Sequence, residues 1–115
     1  MPKPKVTLLA IADFSEAITQ RPDIVFAFNG RGVVYTIKGE YDLAIADYNK
    51  ALALNSTYIY AIVGRGVAYG GKGLFDLAIA DFEKALALSP GLDVAKAGLA
   101  EATAKRSQQT IRQAP

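Results

Sequence analysis

Cysteine, histidine and tryptophan are absent from this chain of 115 residues, and it holds a single methionine. Without cysteine no disulfide can form and no thiolate can bind a metal or act as a nucleophile. Without histidine the side chain that most often moves protons near neutral pH is gone, and Cys/His zinc sites go with it. Charge of one sign is also scarce: 13 Lys and Arg against 11 Asp and Glu leave a net charge of +2. That is too little clustered positive charge to displace counterions from phosphates, so no nucleic-acid partner is expected. Arg, Asp or Lys interrupts every apolar run before it could span a bilayer. The opening Met1-Pro2-Lys3-Pro4-Lys5 is basic, but the stretch from Val6 to Ala12 meets Asp13 without a small-residue cleavage site. The resulting expectation is a cytoplasmic chain with no signal peptide and no membrane partner.

What the chain does have is apolar content and repetition. Hydrophobic residues make up 51% of it, enough to build a core and too many for a disordered segment. Residues 25–58 laid on residues 59–92 give 19 identities in 34 positions without a gap. The run Asp42-Leu43-Ala44-Ile45-Ala46-Asp47 returns whole as Asp76-Leu77-Ala78-Ile79-Ala80-Asp81. A further step back of 34 residues lands on Ala10-Ile11-Ala12-Asp13-Phe14. A period of this length is the mark of stacked supersecondary units, none of which buries its apolar face alone.

Within each unit the spacing is helical. Leu43, Ala44, Tyr48, Ala51 and Leu52 fall on one apolar stripe. Gly39 and Gly73 stand between two such stripes, where one helix ends and the chain turns back. Pro22 and Pro90 mark joints between units, and Asp23 and Asn55 or Ser56 are the expected N-caps. Helices are predicted over 5–20, 24–38, 41–54, 58–72, 75–88 and 92–110, with the last residues, including Gln108, Gln109, Gln113 and Pro115, fraying. In outline, 5–22 is the second helix of a first unit, 25–58 and 59–92 are full repeats, and 93–112 is a capping helix, all in one domain.

One full unit shows Phe28, Gly32, Tyr35, Ala44, Tyr48 and Ala51, and the next Ile62, Gly66, Tyr69, Ala78, Phe82, Ala85 and Pro90. The first half-unit supplies Ala10, Phe14, Ala17 and Pro22. On these residues the chain resembles the tetratricopeptide repeat family. Gly32, Gly66, Ala44 and Ala78 would let paired helices approach closely, while Tyr35, Tyr48, Tyr69 and Phe82 would fill the space between units. Phe28 and Ile62 stand where the family often has Trp, Arg31 and Arg65 where it often has Leu, and Ser56 replaces a proline. The resemblance implies an all-α solenoid of about six antiparallel helices, wound as a right-handed superhelix.

The resemblance also implies that the first helices of successive units line a concave groove that holds peptides. Carried over by position, that groove is faced by Phe26, Asn29, Gly30, Val33, Thr36 and Ile37, then by Tyr60, Val63, Gly64, Val67, Gly70 and Gly71, and at the end by Val94, Ala97, Gly98, Glu101 and Lys105. Gly30, Gly64 and Gly98 recur although glycine costs about 1 kcal/mol in a helix interior. Either they give a partner close access to the groove floor, or they let neighbouring helices pack, and the balance leans to packing. The family's best-known peptide site clamps a C-terminal carboxylate with Lys, Arg and Asn, and Asn29 is the only comparable side chain on the two central helices. A carboxylate clamp is therefore disfavoured. Arg31 and Arg65 are expected to pair with Asp47 and Asp81 across each hairpin, and the recurring Asp13, Asp47 and Asp81 to be structural rather than a metal ladder.

The expected function is a protein-interaction module that binds a peptide or helix of a partner in a mostly apolar groove. The alternative is a self-assembling unit, a homo-oligomer joined through the uncovered flank of the opening helix (Val6, Leu8, Leu9 and Phe14) and the groove. No enzyme is expected: there is no phosphate-cradling glycine loop before Lys-Ser/Thr and no carboxylate pair outside the repeat pattern, and no cofactor or metal is implied.

Overall fold

A computed structural model describes residues 4–114. Among them are six helices and no strand: α1 (Pro4–Gln20), α2 (Val25–Lys38), α3 (Tyr41–Leu54), α4 (Ile59–Gly71), α5 (Phe75–Leu88) and α6 (Asp93–Gln113). Each helix packs on the next, and α2, α4 and α6 also touch in sequence along one side. The helices stand in a row rather than around a common centre, over principal extents of 51 × 31 × 22 Å. Met1 to Lys3 and Pro115 lie outside the described residues.

The turns follow from residue chemistry. Gly39 (φ 79°) and Gly73 (φ 77°) take the left-handed backbone that ends the first helix of each hairpin, a conformation that costs other residues a Cβ clash. At both places the second residue of the turn donates its N–H back to a tyrosine carbonyl, Glu40 to Tyr35 and Leu74 to Tyr69, each at 2.9 Å.

The N-caps differ from expectation. Ile24, Tyr58 and Leu92 hold the cap positions in extended conformation, and none makes a side-chain cap bond. Tyr58 and Leu92 instead pack against the cores, so buried apolar surface takes the place of a polar cap. Asn55 ends α3, and its Oδ1 accepts from the backbone N–H of Thr57 at 3.1 Å, a local turn that leads the chain toward α4. At the C-terminal end α6 runs to Gln113, so Gln108 and Gln109 are helical rather than frayed.

The core is two linked clusters. Phe28, Ala44, Tyr48, Ala51, Ala61 and Ala68 form one; Ile62, Ala78, Ile79, Phe82, Ala85, Ala95 and Ala102 form the other. Alanine dominates both because the axes of hairpin partners approach closely, and the few large residues then fill the gaps between units.

Candidate binding groove

Three first-type helices present the groove candidates. Phe26, Val33 and Ile37 on α2, Tyr60 and Val67 on α4, and Val94 on α6 are large apolar side chains left exposed. Asn29 and Val63 are half-buried, and the Oδ1 of Asn29 is buried without a hydrogen-bond partner. Phe26 stacks edge-on against Phe14 (centroids 6.2 Å apart), and Tyr60 against Tyr58 (5.5 Å).

The recurrent glycines have a common cause. A Cβ on Gly30, Gly64 or Gly98 would lie 2.4–2.5 Å from the ring of Phe14, Tyr48 or Phe82 respectively. Each ring comes from the second helix of the preceding unit. Tyr48 also presses on Gly32 of its own hairpin, and Phe82 on Gly66, at 2.9–3.0 Å from the same notional Cβ. Each inner aromatic is thus a wedge between two glycines, one on either side. Sequence reasoning leaned toward packing for these glycines, and the structure identifies the packed group.

The two full units diverge at the far end of the wedge. The Tyr48 hydroxyl lies 3.0 Å from Thr36 Oγ1, which also donates to the Gly32 carbonyl (2.9 Å). One repeat later Phe82 and Gly70 replace that pair, and Gly71 replaces Ile37. A cavity of about 310 Å³ lies there between α4 and α6. A Cβ on Gly70 would meet nothing within 4 Å, whereas one on Gly71 would lie 2.3 Å from the Tyr41 ring, so Gly71 makes room for that ring. Its floor is glycine backbone and aromatic ring (Gly66, Gly70, Gly98, Tyr41, Phe75, Phe82), and its rim carries Thr36, Val67, Glu101 and Lys105. A second hollow of about 320 Å³ brings Tyr60 and Val63 together with Val94. Phe26, Asn29, Gly30, Val33 and Ile37 line neither hollow. Tyr41 and Phe75 were missed as groove residues by sequence reasoning. The signal that could have found this cavity was the loss of Thr36 and the Tyr48 hydroxyl at their 34-residue counterparts, Gly70 and Phe82.

Electrostatics hold the frame rather than the groove. Arg31 makes a two-pronged contact to Asp47, and Arg65 to Asp81, all four N–H···O distances being 2.8 Å. Both guanidinium pKa values are raised, first by the hydrogen bond to the aspartate, while partial burial pulls the other way. Each arginine also reaches back to the preceding second helix, Arg31 to Ser15 Oγ (3.1 Å) and Arg65 to Asn49 Oδ1 (2.8 Å). On the groove rim Lys105 pairs with Glu101 at 2.8 Å, and that hydrogen bond lowers the Glu101 pKa. Among the described residues no cluster of three metal-ligating side chains occurs, and no helix is long and apolar enough to cross a membrane.

The tetratricopeptide repeat signature matches residues 25–58 and again residues 59–91, which together exceed half of the chain. The chain belongs to the tetratricopeptide repeat family. Members of this family are protein-interaction modules. The first tetratricopeptide domain of human RPAP3 is similar at 25% identity and TM-score 0.85, over 88% of this chain and 80% of that one. The second domain of human RPAP3, solved in complex with the HSP70 peptide SGPTIEEVD, is similar at 27% identity and TM-score 0.78, over 81% and 78%. The Sgt2 domain of Aspergillus fumigatus shares the fold at 22% identity and TM-score 0.87, over 96% and 75%. No curated protein matches the chain.

Proposed function

We propose that this tetratricopeptide repeat protein binds a peptide or helix of a partner protein along the channel formed by α2, α4 and α6, and that the contact is mainly apolar. The observation that carries this reading is the cavity at Gly70 and Gly71. It is large enough for one bulky side chain, floored by rings, and opens beside the exposed Val67. A partner's aliphatic or aromatic residue would anchor there, with Ile37, Tyr60 and Phe26 extending the contact on either side. An acidic C-terminal peptide is a poor fit, because the rim cation Lys105 is already matched by Glu101 and no arginine lines the cavity.

The test is selection of peptides on the wild-type chain from a random library, followed by affinity measurement against variants. Val67→Arg is expected to weaken selected peptides at least tenfold while leaving the helical circular dichroism unchanged. The acidic peptide SGPTIEEVD is expected to bind far more weakly than those selected. Equal affinity of wild type and Val67→Arg would remove the groove from the proposal.

A further inference from the structure

We infer that the uncovered side of α1 is a second docking surface, and that its occupant is a partner protein's amphipathic helix bearing an arginine followed by a small residue. This surface is separate from the groove and does not depend on the function proposed for it.

The repeat supplies its own control. Positions 10, 13, 14 and 17 of α1 recur as 44, 47, 48 and 51 in α3 and as 78, 81, 82 and 85 in α5. In the inner helices all of them are buried: the four alanines at 0%, Asp47 and Asp81 at 5%, Tyr48 at 1% and Phe82 at 3% exposure. In α1 the alanines Ala10 and Ala17 and the ring of Phe14 are only half-buried, and Asp13 is exposed. The cause is coverage. Helix α3 lies between α2 and α4, and α5 between α4 and α6, whereas α1 packs on α2 alone among the described residues. Exposed Leu9 is not part of this sign, since its counterparts Leu43 and Leu77 are exposed in the covered helices too. The small and acidic positions mark the open seat.

Those positions also say what fits. Asp47 and Asp81 each receive a guanidinium from the first helix of their own hairpin, and the residue after each arginine is a glycine that meets the aromatic ring. Asp13 holds the same place on α1 and has no ion-pair partner among the described residues. Phe14 has its glycine on one side only, Gly30 of α2, where Tyr48 and Phe82 have one on each side. A helix with Arg-Gly or Arg-Ala would complete both contacts at once, pairing the carboxylate and closing the wedge. A second copy of this chain fits badly. Arg31 and Arg65 are already engaged, and α6, the first-type helix without a following mate among the described residues, carries Leu99-Ala100 at those two positions. Docking α6 on α1 would bury Asp13 with no counter-charge, which is costly.

The probe is a fluorescein-labelled peptide with the sequence of residues 24–38, which contains Arg31-Gly32, titrated with the full chain and read by anisotropy. Saturable binding is expected. Asp13→Asn should weaken it about tenfold, as expected for loss of a charge-assisted hydrogen-bonded pair. Arg31→Asp in the peptide should weaken it similarly, and Asp13→Arg in the chain should restore binding of that altered peptide. Val67→Arg should leave it unchanged, which separates this surface from the groove. Absence of saturable binding, or equal binding to the Asp13→Asn chain, would overturn the proposal. So would a peptide of residues 93–107 binding as tightly as the arginine-bearing one. Sedimentation showing a micromolar dimer that Asp13→Asn dissociates would assign the surface to a second copy and overturn it likewise.

Discussion

The two full units, residues 25–58 and 59–92, share 19 of 34 residues and the same arginine–aspartate frame, yet they differ at the far end of the aromatic wedge, where Gly70 and Phe82 of the second line a cavity of about 310 Å³. In the first, Thr36 and the Tyr48 hydroxyl latch the wedge to its helix; in the second, Gly70 and Phe82 leave the latch out. The difference teaches that open space in a stack of near-identical modules can come from deleted side-chain atoms. The backbone need not move.

The largest effect should come from what the units share. Asp81→Ala, which strands Arg65, is expected to cost about 3 kcal/mol in urea unfolding, near the lower end for a broken buried pair because a fifth of the arginine side chain meets water. Asp47→Ala should cost about the same, and a markedly smaller loss would break the equivalence of the two frames.

Glycine substitutions should split in sign. Gly64→Ala places a Cβ against the Tyr48 ring and is expected to destabilise by about 1–2 kcal/mol, the overpacking outweighing the gain in helix propensity. Gly70→Ala meets nothing within 4 Å and should stabilise by about 0.5–1 kcal/mol. Equal effects in thermal unfolding would show that the second unit's end is not open.

Tyr48→Phe, which copies Phe82, should cost about 1 kcal/mol through the lost bond to Thr36. Burial raises the Tyr48 pKa, the Thr36 hydrogen bond opposing it and the nearby Asp47 charge adding to it. The folded state therefore keeps the phenol proton longer than the unfolded chain does. The contribution is whole below the ordinary tyrosine value of about 10 and falls as pH rises from there through the folded value. Tyr48→Phe should flatten that part of the alkaline stability profile. An unchanged alkaline slope would count against a buried Tyr48 hydroxyl.

The smallest change in stability is expected from transplanting the latch, Gly70→Thr with Phe82→Tyr, within about 1 kcal/mol of wild type because one neutral hydrogen bond is added. Its sharper readout is affinity: peptides selected on the wild-type chain should bind less well once the cavity is filled.

Much of this architecture is legible without coordinates. The 34-residue period and the stripe through Leu43, Ala44, Tyr48 and Ala51 place all six helices within a few residues, with α3 and α5 matched at both ends. The pairing of Arg31 with Asp47 follows because a partly buried guanidinium needs a carboxylate, and one recurs at constant spacing in the facing helix. The N-caps were not legible, since Asp23 and Asn55 have the right chemistry but Tyr58 and Leu92 bury more apolar surface at the cap position. The role of Gly30, Gly64 and Gly98 was only half legible. Spacing shows that something must come close, but not which ring does.

The order of residues alone determined a row of antiparallel helices, because a repeat of apolar stripes with glycine turns can bury itself only by stacking on its neighbours. It also determined the ion pairs that cross each hairpin. Tertiary structure decided where space remains: the cavity over Phe82 and the uncovered side of Asp13 and Phe14. Both depend on what stands opposite a residue across a helix interface, and chain order does not record that distance.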